Sequence, residues 1–533
     1  MIEGTIVERL ATFVSSLSGQ VDVDSERDLQ RLAAYLFAVA TLLQKSFWNA
    51  TWDEPFEPGR PRLAPALAQL QDLRPQTPPR EIYRFLISTL VAIEDRLAKP
   101  PDIERSQLRP NPCWIPLDRE DGRQLDLVGR VALWLRPPSL ARRVWQHARQ
   151  TQQDRSHPPV RPRPPAAELE RLGLYWGGDQ LPEARPVPRS RRLSSFDDIW
   201  PYRGGSFPLK VALCPLTARS GPVFDIDAKG QEFAACRPDG LRERTEIEQH
   251  LTELFAEGAR EGVNLFVLPE LSIDPPARQF LASLVRQYPR DLLGVVGGSF
   301  HIWKEDGPAT EGASGEVEPH RPANEAVFLD GGGEVVWRQE KRGHFTISRE
   351  KVEEYPHFFR SRPDMLPHPE ITEGIRRGNS LGVLDTRIGR LCLLICADAV
   401  DLDCDYREVV RRIRPDFLFI ISLSPESARF ESFARELKDL AIGTLYINSA
   451  CACPPGEELA IVDLAFWAEE TTPPTQIKWR AGGRPMRYDF SAHRWRPSRR
   501  ETGVFLLRRS RALVLDLGAF YRRWIEPADL AEQ

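Results

Sequence analysis

The stretches GRLCLLICAD (residues 389–398) and PDFLFIISLS (residues 415–424) decide the fold. Each is a short apolar run with almost no polar alternation, the pattern of a strand covered on both faces, and each closes on polar residues. Working outward, LKVALCPL (209–216), VNLFVLPEL (263–271) and LLGVVGGSF (292–300) repeat the pattern, and ANEAVFLDGGGEVVWRQEK (323–341) reads as a hairpin. Between these runs TEIEQHLTELFAEGARE (245–261) sets Ile247, Leu251, Leu254, Phe255 and Ala259 on one side, as a helix lying on a sheet requires. ESFARELKDLAIG (431–443) repeats that pattern before the strand TLYINSACA. Short strands alternating with amphipathic helices predict an α/β domain, and the turn-rich tail from about 470 reads as its end.

Residues 1–150 differ. Leu29, Leu32, Leu36 and Leu43, then Ile82, Phe85, Leu86, Leu90, Ile93 and Leu97, recur at helical spacing and predict a small all-α domain. Residues 151–205, with HPPVRPRPP and LPEARPVPRSRR, hold many prolines, which remove backbone donors, and many arginines, which predicts a solvated linker broken by one short helix near AAELERLGL. The partition is therefore 1–150 helical, 151–205 linker, 206–520 α/β and 521–533 tail.

With 72 basic against 76 acidic residues, a net charge of −4, the chain has no general field for nucleic acid. No apolar run reaches the ~18–20 residues that span a bilayer, and MIEGTIVERL lacks the pattern of a signal peptide, so a cytoplasmic protein is expected. Eight cysteines without a CxxC pair argue against a disulfide framework or zinc site. His344, His357 and His368 lack ligand spacing, and DGGGEV has no following helix or Gly-Lys-Ser/Thr ending, so neither a metal nor a phosphate-bearing cofactor is expected.

Three residues carry possible chemistry. Cys396 ends a buried strand, where α/β sheets bind ligands; Glu270 ends another, where an unpaired carboxylate is costly; Lys341 ends the hairpin strand. Each alone has a plain structural explanation, as a small core residue, a loop carboxylate and a surface ammonium. Together they supply a nucleophile, a base and a fixed cation, the parts needed to attack a carbonyl or nitrile carbon.

In this order the motifs LKVALCPL, VNLFVLPEL, NEAVFLDGGGEVVWRQEK and GRLCLLICAD resemble those of the nitrilase superfamily of carbon–nitrogen hydrolases, over residues 206–520. ESFARELKDLAIGTLYINS also resembles the family's helix and strand beyond the nucleophile. The resemblance implies an α-β-β-α sandwich and a thioester mechanism. In it Glu270 is general base, Lys341 stabilises the oxyanion with a backbone N–H, that of Ala397, and Cys396 is nucleophile. It also implies a second glutamate between the lysine and the cysteine. By spacing Glu350 is the first candidate and Glu353 the second, with Glu373 more distant. Ala397 stands where many members carry an aromatic residue, which puts substrate choice in question.

The expected function is hydrolysis of a non-peptide amide, with nitriles second, by a cofactor-free homo-oligomer. Two alternatives stay open: an acyl- or amide-transferring enzyme of the same fold, and a small-molecule sensor or scaffold whose helical module binds a protein partner.

Overall fold

A computed structural model describes most of residues 62–98 and 209–517, short strands between them (114–116, 130–132, 175–177 and 183–187), and a few positions between 22 and 40. Leu43 and the tail 521–533 lie outside the described residues. The chain divides into two compact units, with the main boundary between Leu181 and Pro182.

In the first unit, α1 (Leu63–Gln71) buries Leu67 and Leu70, and α2 (Pro79–Ala98) buries Ile82, Leu86, Leu90 and Ile93 of the stripe read in the sequence, with Phe85 half-buried. The unit is not all helical. β1 (Trp114–Pro116), β2 (Arg130–Ala132) and β3 (Tyr175–Gly177) form an antiparallel three-stranded sheet, a correction to the all-α expectation. Each piece is too short to show strand alternation, which is why the pattern gave no warning.

The second unit is α/β. One sheet has seven strands, β11-β10-β9-β8-β5-β23-β22. These are β5 (Lys210–Leu213), β8 (Leu265–Leu268), β9 (Gly294–Ile302), β10 (Ala323–Asp330), β11 (Val335–Glu340), β22 (Val504–Leu506) and β23 (Leu513–Asp516). The other has nine, β21-β20-β19-β18-β17-β16-β15-β14-β4. Its members are β4 (Glu183–Pro186), β14 (Ser380–Thr386), β15 (Gly389–Ile395), β16 (Phe417–Ser422), β17 (Gly443–Asn448), β18 (Glu458–Leu464), β19 (Thr475–Arg480), β20 (Met486–Asp489) and β21 (Arg494–Pro497). Leu213, Val267 and Phe328 of the first sheet share one buried cluster with Leu393, Ile395 and Phe419 of the second, so the sheets pack face to face.

Helices cover the outer faces. α3 (Arg244–Glu261) and α4 (Pro275–Gln287) place Leu251, Leu254, Leu281 and Val285 in a second cluster with Phe266 and Val295 of the seven-stranded sheet. Gly262, left-handed at φ 68°, ends α3 three residues before β8 begins. Asp274 starts α4 by accepting from the Ala277 N–H, with proline at the first helical position. On the nine-stranded sheet, α8 (Ala428–Asp439) lays Phe430 4.6 Å from the Tyr446 ring of β17; the short α6 (Ala397–Val400) and α7 (Asp405–Ile413) connect β15 to β16. β5, β8 and β9 run parallel, as do β15, β16 and β17, with helices in the crossovers.

A four-stranded sheet stands beside this sandwich, ordered β12-β13-β7-β6: β6 (Phe224–Ile226), β7 (Glu232–Ala235), β12 (Thr346–Ser348) and β13 (Glu370–Glu373). α5 (Arg349–Glu354) lies in the excursion between β12 and β13. The stretch read as a linker also contributes structure: β4 pairs in parallel with β14, Ser380 opposite Glu183 through Val383 opposite Pro186. An edge position tolerates the proline, since a missing N–H there faces no second strand. Among the described residues no helix is long and apolar enough to cross a membrane.

Candidate active site

The site gathers at the ends of strands. Glu270 lies two residues beyond β8, Lys341 directly after β11, Glu373 at the end of β13 and Cys396 directly after β15. All four are buried, Glu270 and Lys341 to 1% exposure and Glu373 and Cys396 to 2%. Ions so buried are sustained only by partners.

Those partners are present. Lys341 Nζ donates to Glu270 Oε1 at 2.7 Å and to Glu373 Oε2 at 2.6 Å. Asn324 on β10 bridges the same carboxylates, its Nδ2 donating to Glu270 Oε1 at 3.0 Å and Glu373 Oε1 at 2.9 Å. Glu270 Oε2 accepts the Leu423 N–H at 2.9 Å, and Glu373 Oε2 the Phe345 N–H at 3.3 Å. His301 completes the set: its Nδ1 accepts the Ala235 N–H at 2.8 Å, so Nε2 carries the proton and donates to Glu373 Oε1 at 2.9 Å.

The charges follow from these contacts. Burial opposes the Lys341 ammonium, but Glu270 and Glu373 outweigh it and hold the group well above the ordinary lysine range. Burial likewise pushes Glu373 up, and Lys341 with His301 outweighs that, holding the carboxyl well below the usual range. For Cys396, burial and then Glu270 push the thiol well above its ordinary value, against Lys341 and a 3.3 Å hydrogen bond from the Ser422 hydroxyl. The resting group is a thiol that requires a base.

Cys396 also has φ 46° and ψ −102°, a left-handed conformation unusual for a side chain with a Cβ, at a sharp strand-to-helix turn. Asp398 fixes this turn. Its Oδ1 accepts the Arg342 and Gly343 N–H groups at 2.8 and 2.7 Å, and its Oδ2 the Ile395 N–H at 3.2 Å. One buried carboxyl thus ties the residues after Lys341 to those around Cys396; burial pushes it to about 7 despite its N–H donors. The approach is close enough that a Cβ on Gly343 would lie 3.0 Å from the Ala397 carbonyl carbon.

The three residues singled out in the sequence therefore meet, and Ala397 opens α6 beside them. The spacing-based choice of second glutamate needs correction. Glu350 and Glu353 lie exposed on α5, where Glu353 pairs with Arg349 at 3.1 Å, and neither touches the site. The excursion carrying them leaves β12 and returns along β13, so Glu373, 32 residues from Lys341, arrives at its ammonium. Ile371 and Glu373 share the buried face of β13, the one signal in ITEG that pointed inward. Asn324, His301 and Ser422 were missed; each is a polar residue at or near the end of an apolar strand.

The site opens on a cleft of about 540 Å³, including its mouth. Glu270, Lys341 and Glu373 form its polar floor, and Phe224, Phe233, Phe345, Phe358 and Phe359 contribute to its walls. Cys396 lies behind that lining, near the Leu423 loop, which Asn448 holds by accepting the Ser424 N–H at 2.9 Å and donating to the Ser424 carbonyl at 2.7 Å.

No family model matches the chain, and no curated protein does. Solved structures do. A glutamine-dependent NAD+ synthetase from Acinetobacter baumannii, in complex with ADP, is similar over 55% of this chain and 48% of its own, at 14% identity and TM-score 0.33, so the chain spans about half of that enzyme. A glutamate mutant of the amidase from Nesterenkonia sp. AN1, with the acetamide moiety of fluoroacetamide added covalently at the active-site cysteine, matches over 62% of this chain and 97% of its own, at 16% identity and TM-score 0.32. Saccharomyces cerevisiae Nit3, of branch 10 of the nitrilase superfamily, matches over 61% and 97%, at 14% identity and TM-score 0.32. The chain is similar to members of the nitrilase superfamily.

Proposed function

We propose that the second unit is a cysteine-dependent hydrolase of non-peptide carbon–nitrogen bonds, acting on amides through a thioester. The observation that carries this is the buried Glu270–Lys341–Glu373 ion network beside a thiol held in a strained turn.

In the first step Cys396 Sγ attacks the carbonyl carbon while its proton passes to Glu270. Charge moves from carboxylate to sulfur and onward to the carbonyl oxygen, so the site's net charge is unchanged and no ion is created in a dry cavity. Two Lys341 N–H groups are engaged by Glu270 and Glu373, which leaves the third for the oxyanion, with the Ala397 N–H as second donor. Collapse breaks the carbon–nitrogen bond, and the proton on Glu270 leaves with the amine. Water then gives a proton to Glu270 and attacks the thioester; the acid departs and the proton returns to Cys396. Glu373 acts through Lys341 as a positioning residue.

The test is intact-protein mass spectrometry during exposure to an amide and nitrile panel, with ammonia release followed in parallel. An acyl adduct and ammonia, both lost in Cys396→Ala, are expected. A panel-wide lack of both, with Cys396 unreactive toward a small electrophile, sinks the proposal.

A further inference from the structure

The cleft has one polar side. Beyond the floor, its described lining is aromatic or aliphatic, and the Tyr355 hydroxyl is the added polar side-chain group. The rings form a continuous wall: Phe224 lies 5.1 Å from Phe233, 5.6 Å from Phe359 and 6.3 Å from Phe358, centroid to centroid. Phe233 meets Phe359 edge-on at 6.0 Å. Most of this wall comes from the small sheet and the excursion between β12 and β13.

The floor gives an incoming charge little. Lys341 already faces two carboxylates, and those carboxylates are taken up by Lys341, Asn324, His301 and the Leu423 and Phe345 N–H groups. An anionic substituent would meet a floor with two carboxylates to one ammonium, and a cationic one would lose its water against phenyl rings.

Resting on the hydrolase reading, we infer that the substrate is a neutral primary amide whose acyl group is apolar, an arylalkyl or medium-length alkyl chain, seated among Phe224, Phe233, Phe358 and Phe359. With a primary amide the leaving group is ammonia, which needs no apolar wall, so the cleft serves the acyl side.

The experiment measures kcat/KM for ammonia release by the full-length protein from acetamide, butanamide, hexanamide, 3-phenylpropanamide, succinamate and 4-aminobutanamide. The expected result is a rise of about fourfold per added methylene until the cleft fills, with both charged amides at least about 100-fold below hexanamide. Turnover with no rise along the neutral series, or with a charged amide preferred, overturns the inference and leaves the hydrolase reading standing. Failure of every amide sinks the hydrolase reading instead. Calorimetric binding of 3-phenylpropanamide against succinamate to Cys396→Ser then decides the pocket's preference without turnover, equal or inverted affinity counting against it. Ile347 lines the cleft and is half-buried where it packs against the core, so Ile347→Arg places a cation on the wall. It should shift the hexanamide-to-succinamate ratio toward succinamate by about tenfold or more; an unmoved ratio counts against this cleft as the acyl site.

Discussion

Replacing Glu373 with glutamine removes one charge and almost no volume. Glu373 Oε1 receives N–H groups from His301 and Asn324, and Oε2 from Lys341 and Phe345. Whichever oxygen becomes the amide nitrogen, donors then face donors. His301 cannot relieve the clash by changing tautomer, because its Nδ1 accepts the Ala235 N–H. Breaking a buried ion pair on one side costs roughly 3–5 kcal/mol, which corresponds to a drop of roughly 5–8 °C in the melting temperature of a domain of about 300 residues. Lys341 would also lose one of its two anchors, and displacement of a positioned catalytic group by about 1 Å costs on the order of 100-fold in rate. The pH dependence should change as well. Glu373, held low when folded, adds stability above the unfolded carboxyl value of about 4.3, and that contribution is lost as pH falls through the folded value; Glu373→Gln should flatten this acid limb. The assay is thermal melting at fixed scan rate across pH, paired with amide turnover. A variant that melts within about 2 °C of wild type and keeps its activity within about threefold refutes the assigned network.

Glu350→Gln and Glu353→Gln serve as contrasts: both carboxylates are exposed, so melting and turnover should match wild type. Cys396→Ala should abolish the acyl adduct and lower ammonia release by at least about 1000-fold while the protein stays folded, as near-ultraviolet circular dichroism would show. Asp398→Ala leaves two buried N–H groups and one part-buried one without their acceptor, at about 1–3 kcal/mol for each buried group, so low soluble yield or a strongly lowered melting temperature is expected. Asp398→Asn should be milder. Because Asp398 binds its proton more tightly when folded, it contributes stability at low pH that fades as pH rises through about 7; the asparagine variant should lack that slope between about pH 4 and 7 in melts across pH.

Much of this architecture was legible because central strands leave an unmistakable apolar signature. GRLCLLICAD and PDFLFIISLS became β15 and β16, and the Ile247–Leu251–Leu254–Phe255 stripe became the buried side of α3. Glu270, Lys341 and Cys396 could be picked out because a reactive group at the end of such a strand stands in contrast to its surroundings. Glu373 escaped for a physical reason. Its proximity to Lys341 is set by the pairing of β12 with β13 across an excursion of some twenty residues, and spacing along the chain carries no information about that return. His301 and Asn324 were hidden similarly, since their importance lies in what faces them from other strands. The short strands β1–β4 gave no periodicity to read.

The pairing of β4 with β14 bears on how the two units can be separated. A fragment beginning at residue 206 would strip β4 from the nine-stranded sheet and uncover the backbone donors and acceptors of β14 from Ser380 to Val383. A bare strand of that kind is a template on which another chain can add, so such a fragment should self-associate. One beginning before Pro182 keeps its selvedge and should stay monodisperse under the same conditions.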